Sequence, residues 1–89
     1  MKTIKAEQLK KIYDANEAVK GTNNWNRYTM PMESKINGRW KFTGWGCPWN
    51  YREDAILKKI KDKTYIVMNT YFGLERFEVT KAVTNVLGI

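Results

Sequence analysis

Apolar residues recur at spacings of three and four along residues 4–20, and this periodicity predicts an amphipathic α-helix. Thr3 is expected to cap the start of the helix and Gly21 to end it. Lys10 and Asp14 lie four residues apart on the polar face, where such pairs solvate a helix and do not indicate a ligand. The predicted buried face consists of Ala6, Leu9, Ile12, Tyr13, Asn16 and Val19.

Beyond Gly21 the pattern changes to short extended segments separated by turns. Asn37-Gly38 is a strong signal for a tight turn. The segment 39–43 that follows alternates between polar and aromatic residues, which predicts that Trp40 and Phe42 point into the core. The opposite face of this strand would then carry Arg39, Lys41, Thr43 and Trp45.

The pattern of residues 53–60 fits either a helix or the first strand of a hairpin. Acids at the start and lysines at the end suit a helix dipole. However, Asp62-Lys63 followed by the apolar run 64–69 has the pattern of a turn and a returning strand. The hairpin is therefore the favoured interpretation.

Thr80 is expected to cap a short final helix that runs from Lys81 to Leu87 and ends at Gly88. This helix should bury Val83, Val86 and Leu87. Two helices that bracket roughly three to four antiparallel strands predict an α+β fold. We expect one domain, residues 1–89, with a small antiparallel sheet, an N-terminal amphipathic helix and a short C-terminal helix.

The composition excludes several classes of protein. With 43% hydrophobic and 28% charged residues, the chain is typical of folded soluble proteins. It lacks an apolar run long enough to span a membrane, and its first residues lack a signal-peptide pattern, so we expect a cytoplasmic protein. One cysteine and no histidine exclude the usual zinc ligand sets and leave Cys47 without an activating base. We expect no metal, no cofactor and no catalytic residues.

The charge is strongly positive. Lysine and arginine total 16 against 9 acids, which gives a net charge of +7 and a pI near 9.6. This balance favours a polyanionic partner such as nucleic acid. Because the basic residues are spread along the chain, a basic patch must be assembled by folding.

Aromatic residues are concentrated in one window. Seven of the twelve, including all four tryptophans, lie within residues 25–51, with basic residues among them. Cations that hold phosphates, together with aromatic plates that stack on bases, suit single-stranded nucleic acid, and RNA more than DNA. The leading hypothesis is therefore a non-enzymatic RNA-binding protein. Its candidate binding residues are Arg39, Lys41, Trp45, Trp49, Arg27 and Arg52.

Three other functions use the same residues. Trp and Arg are favoured at protein–protein hot spots, so the alternative is an antagonist of a host protein, such as a nuclease toxin or a defence protein. Its anchors would be Trp25, Trp45 and Trp49. Tryptophan and asparagine could also bind a sugar, although the positive charge contributes nothing to a neutral one.

A third hypothesis is a ribonuclease, because RelE-type toxins are short basic α+β proteins that cut RNA largely with Lys, Arg, Tyr and Glu. Those toxins begin with two helices, whereas only one is clear here. The residues that could serve this chemistry are Arg39, Lys41, Tyr51, Arg52 and Arg76.

The second half of the chain resembles small accessory proteins of T4-like tailed phages. The matching segments are Tyr51-Arg52, 55–57, the asparagine-containing strand 64–70 and Val79-Thr80-Lys81, which together cover under half the chain. The resemblance implies a host-takeover or counter-defence protein that acts in the host cytoplasm by binding an RNA, a nuclease toxin, or both. The final helix departs from the pattern because Lys81 is its only basic residue, so a binding role does not transfer to it.

Overall fold

An antiparallel sheet with two helices against one of its faces forms the framework of the protein. The computed structural model describes residues 2–20, 30–46, 48 and 54–89. Its helices are α1 (Ala6–Lys20) and α2 (Lys81–Leu87). Its strands are β1 (Lys2–Thr3), β2 (Met30–Ile36), β3 (Arg39–Gly46), β4 (Ile56–Ile60), β5 (Lys63–Thr70) and β6 (Gly73–Val79). Within these residues the strands join in the order β1-β4-β5-β6-β2-β3, and all neighbours are antiparallel.

The α+β class with an antiparallel sheet, an N-terminal helix and a short C-terminal helix is confirmed. The predicted number of three to four strands is too low, since the described residues form five strands of at least five residues and the two-residue β1. The strand missed by the sequence pattern is β6. Its inward residues are Glu75, Phe77 and Val79, and the polar residues at positions 75, 76 and 78 conceal the alternation.

The hairpin interpretation is confirmed for the described residues 56–69. β4 and β5 pair from Ile56 opposite Val67 to Ile60 opposite Lys63, and Lys61 in the turn adopts a positive φ of 57°. The lysines of β4 are thus strand residues, and they do not form the last turn of a helix.

The first helix starts two residues later than predicted, at Ala6. The backbone N–H of Ile4 donates to the carbonyl of Ala55 at 3.1 Å, so the chain is still extended there and Thr3 belongs to β1. Thr3 is therefore not the cap. Instead the backbone N–H of Lys5 donates to Oε1 of Gln8 at 3.0 Å, an arrangement that satisfies one of the free donors at a helix start.

The second helix has the predicted bounds. Thr80 precedes it in an extended conformation, but its side chain does not make the capping hydrogen bond that was expected. Gly88 ends the helix in the left-handed conformation with φ 73°. The prediction that Val86 is buried is wrong, because 63% of its surface is exposed. Thr84 is buried in its place, and its hydroxyl donates to the Lys81 carbonyl at 3.0 Å. This bond satisfies the polar group and allows the helix to turn that face inward.

The core lies between the helices and the sheet face beneath them. Both helices contribute, α1 through three large side chains and α2 through Val83. Neither of the described helices is long and apolar enough to cross a membrane. The core residues are Ile4, Leu9, Ile12, Tyr13, Ala15, Met30, Ala55, Ile66, Met68, Phe77, Val79 and Val83, with Met32, Leu57 and Leu87 packed against them.

Gly46, the last residue of β3, packs so closely on this core that it cannot carry a side chain. A Cβ there would lie 2.8 Å from both Sδ of Met32 and Cε1 of the buried Phe77. We expect Gly46→Ala to lower the free energy of unfolding by about 1–3 kcal/mol, the usual cost of overpacking. Urea unfolding measures the change. Part of the cost should disappear in a Met32→Ala background, which removes the contact with Sδ and leaves the one with Phe77. An equal cost in both backgrounds would show that Met32 takes no part in the clash.

Candidate nucleic-acid interface

The β2–β3 hairpin positions most of the described residues of the aromatic window. Its turn residues, Asn37 and Gly38, have φ of 51° and 76°. Two positive φ values are the requirement of the tight type I′ turn, which matches the twist of the flanking strands. β3 lies at the edge of the sheet, and of the described strands only β2 pairs with it.

An extra residue in β3 determines which of its side chains share a face. Phe42 lies opposite Glu33 and Gly44 lies opposite Met32, so Thr43 between them has no partner on β2. This arrangement is a β-bulge, which reverses the facing of every later residue relative to strict alternation. Trp45 therefore lies on the same face as Phe42.

The consequence is a row of three aromatic side chains along the edge strand. Trp40, Phe42 and Trp45 share one face, and successive members are separated by about 7 Å, because their partners on β2 are two residues apart. Phe42 is 62% and Trp45 is 61% exposed, whereas Trp40 is half-buried. We call these three residues the aromatic row. Their partners on β2 are Lys35, Glu33 and Pro31.

The prediction that Trp40 and Phe42 fill the core is wrong. The side chain of Met32 packs against the core, so the next residue, Glu33, points to the other face, and its partner Phe42 does the same. The alternation along residues 39–43 is as predicted, but the two faces were assigned the wrong way round. An isolated strand pattern does not specify which of its faces the helices will cover.

Two of the predicted cations are exposed, but they lie on the other face from the row. Lys41 is opposite Ser34, and Arg39 is opposite Ile36. The prediction that Trp45 shares a face with Arg39 and Lys41 is therefore wrong. Arg39 and Lys41 are both exposed residues of the edge strand.

The other four predicted site residues lie outside the described part of the chain, and their roles stay predictions. They are Trp25, Arg27, Trp49 and Arg52, and Tyr51 of the ribonuclease hypothesis lies there too.

A largely buried cation on β6 supports one end of the row. Nε of Arg76 donates to Oε1 of Glu33 at 2.9 Å. Its guanidinium carbon lies 4.4 Å from the ring centroid of Trp40 and 4.1 Å from that of Tyr65. A guanidinium stacked between two rings and bonded to a carboxylate is held in one orientation, and it holds Trp40 in turn. With 13% of its side chain exposed, Arg76 serves the fold more than a ligand.

Two lysines on the same face differ in their surroundings. The exposed Lys35 has its Nζ 5.0 Å from the ring centroid of Trp40, so it places a positive charge beside the row. Lys63 instead lies 3.4 Å from the carboxylate of Glu78. The hydrogen bond from Lys63 to Glu78, with the charge of that carboxylate, raises the pKa of Lys63 above its ordinary value of 10.5. The positive charge of Lys63 is therefore paired with the carboxylate of Glu78, whereas the charge of Lys35 lies next to the ring of Trp40.

The predicted site left out Lys35, which is one of the basic residues of the aromatic window, and Glu33. Arg76 was named only as material for a ribonuclease. The alternation of β6 could have indicated the position of Arg76, because it places this residue on the face opposite the buried Phe77.

The described basic residues of the ribonuclease hypothesis do not converge, since Arg76 lies on one face of the sheet and Arg39 with Lys41 on the other. Among the described residues, no group of three or more Cys, Asp or Glu side chains could hold a metal ion.

Comparison with known protein families, with curated proteins and with solved structures finds no match to this chain.

Proposed function

We propose that this protein binds single-stranded nucleic acid, with RNA as its natural target, along the aromatic row. The observation that carries the proposal is that the row lies on the sheet face away from the two helices, with Phe42 and Trp45 more than 60% exposed. Burying a fully exposed ring contributes about 1.5–3 kcal/mol, and more than half of that remains to be gained at each of these two side chains. A ligand with flat apolar faces would recover that free energy.

The spacing of the row favours an unpaired strand. Rings separated by about 7 Å along β3 can each meet a different base of an extended strand, whereas the bases of a duplex remain stacked on one another. Stacking on aromatic side chains contributes about 1–3 kcal/mol per base and needs no particular sequence. RNA is the expected natural target, because its loops and ends present such bases.

The charges around the row suit the phosphates of the same strand. Lys35 lies on the row's own face, and Arg39 and Lys41 lie on the other face of the same edge strand, which a bound strand would reach by passing over the open edge. All three side chains are exposed. The net charge of +7 adds a long-range attraction that increases the rate of association with a polyanion. The proposed function is binding without catalysis.

The salt dependence of binding tests the proposal. Contacts from three cations to phosphates should give a plot of log K against log salt with a slope of about −2, since each contact on a single strand contributes about −0.7. Fluorescence anisotropy of a labelled oligouridine of about twelve nucleotides measures it. Lys35→Gln should make the slope less steep by about 0.7. The matched control is Lys59→Gln on β4, four strands from β3, which should leave the slope nearly unchanged.

The same measurement of salt dependence distinguishes nucleic-acid binding from the main alternative, binding to a protein partner. An aromatic row could also anchor a protein partner, as the antagonist hypothesis proposes, but such an interface depends only weakly on salt. Absence of oligouridine binding at about 0.15 M salt would contradict nucleic-acid binding and favour that alternative. The resemblance to phage accessory proteins stays a prediction.

A further inference from the structure

The turn between β5 and β6 carries two almost fully exposed aromatic residues. Tyr71 is 94% and Phe72 is 84% exposed. Tight turns between strands usually use Gly, Asn or Asp, because these residues tolerate the backbone conformations and the solvent there. Neither ring contributes to the core, so the folding of the sheet does not explain them.

Hydrogen bonds of Thr70 fix the backbone of the turn. Its hydroxyl donates to the Gly73 carbonyl at 3.2 Å and accepts from the backbone N–H of Phe72 at 3.1 Å. The two rings meet edge to face, with centroids 5.3 Å apart and planes at 83°. We call this pair the aromatic tip. Because the turn backbone is already fixed, a ligand that binds the two rings need not order it.

The aromatic tip lies at the same end of the sheet as the β2–β3 turn. β6 is antiparallel to both β5 and β2, so its first residues are adjacent to the end of β5 and to the end of β2. Trp40, two residues after Gly38, is therefore the member of the aromatic row nearest the tip. β6 and β3 are separated by two strand spacings, about 10 Å.

An exposed cation lies between these two groups of rings. Lys35 belongs to β2, the strand between β3 and β6, and its Nζ is 5.0 Å from the ring centroid of Trp40. A strand that leaves the row at Trp40 would pass this charge before it reaches Tyr71 and Phe72. Aromatic residues separated by cations are the pattern that suits a nucleic-acid backbone with bases on both sides of the gap.

We propose that the aromatic tip is a second stacking site for the strand that binds the aromatic row. This inference rests on the proposed function and extends it, because it specifies a longer ligand. A strand of about six nucleotides would place bases on the row, a phosphate near Lys35, and further bases on Tyr71 and Phe72. Shorter strands would bind the row alone.

Oligouridines of two lengths test the second site, with binding followed by amide chemical shifts that register weak complexes. The variant Tyr71→Ala/Phe72→Ala should lose about tenfold or more in affinity for a strand of about twelve nucleotides, the effect of at least one lost stacking contact. Its affinity for a strand of about four nucleotides should stay within twofold. Val86→Ala is the matched control, because it removes an exposed apolar side chain on α2, on the opposite side of the sheet from the row.

The outcomes distinguish this inference from the function on which it rests. If the tip variant binds the long strand as the unchanged protein does, while loss of the row abolishes binding, the second site is refuted and the proposed function stands. The exposed pair would then serve a protein or a lipid surface. An equal loss for both lengths would also refute the second site. If the unchanged protein binds neither strand, the proposed function itself fails.

Discussion

Replacing Phe42 and Trp45 together with alanine is expected to lower the affinity for single-stranded RNA by at least about thirtyfold. Each ring should stack on one base, and each lost stack costs about 1–3 kcal/mol, so the two together remove at least about 2 kcal/mol. The two single substitutions should each account for part of the loss. Fluorescence anisotropy with a labelled oligouridine of about twelve nucleotides measures the change.

The fold should survive the double substitution, because both side chains are more than 60% exposed. Thermal unfolding of the variant should therefore match that of the unchanged protein to within a few degrees, roughly the effect of 0.5 kcal/mol or less. Val86→Ala, which removes an exposed apolar group from α2, should leave the affinity unchanged. Undiminished RNA binding by a folded Phe42→Ala/Trp45→Ala protein would refute the aromatic row as the binding site.

Replacing Arg76 with alanine is expected to lower the free energy of unfolding by about 2–4 kcal/mol. The substitution removes the contacts of one guanidinium with two rings and leaves the Glu33 carboxylate without its partner. Breaking a fully buried pair costs about 3–5 kcal/mol, and the 27% exposure of Glu33 lets water offset part of that. Urea unfolding measures the change through the shift of the midpoint.

The pair of Lys10 with Asp14 on α1 provides the control for this second prediction. Its nitrogen and oxygen lie 3.0 Å apart, close to the distance in the Arg76 pair, but both side chains are more than half exposed. Lys10→Ala should therefore cost no more than about 0.5 kcal/mol. Arg76→Lys should recover only part of the loss, because an ammonium lacks the planar fork that stacks between two rings. A loss for Arg76→Ala as small as that for Lys10→Ala would show that the guanidinium does not stabilise the sheet.

Local sequence signals predicted the elements whose ends are set by their own residues. The final helix has its predicted bounds and ends at Gly88 in the left-handed conformation, whereas the Thr80 side chain at its start makes no capping hydrogen bond. The β2–β3 turn forms at Asn37-Gly38. The α1 start at Ala6 was missed because a long-range bond, from Ile4 to Ala55, extends the chain past the expected cap. β6 was missed because Arg76 and Glu78, facing away from the core, interrupt its apolar pattern.

The candidate site was predicted only in part, and the missing part is tertiary. The composition of the window indicated stacking and positive charge, and Trp45, Arg39 and Lys41 were named from it. The sequence did not reveal that Trp40 and Phe42 would join Trp45, because this requires the bulge at Thr43 and the helices on the other face. Nor did it reveal the support from Arg76, which comes from a strand more than thirty residues away.

Nearest neighbours and composition are enough to give the α+β class, the bounds of the final helix, the β4–β5 hairpin, the tight turn at Asn37-Gly38 and the strong positive charge. Which face of β3 is buried depends on packing between distant elements, and this packing fixes which aromatic residues remain exposed to a ligand. An alternating strand has two faces with the same period, so its pattern defines two sets of side chains without saying which set is inside. Packing of α1 and α2 on the sheet makes that choice, and the bulge then brings Trp45 into the aromatic row.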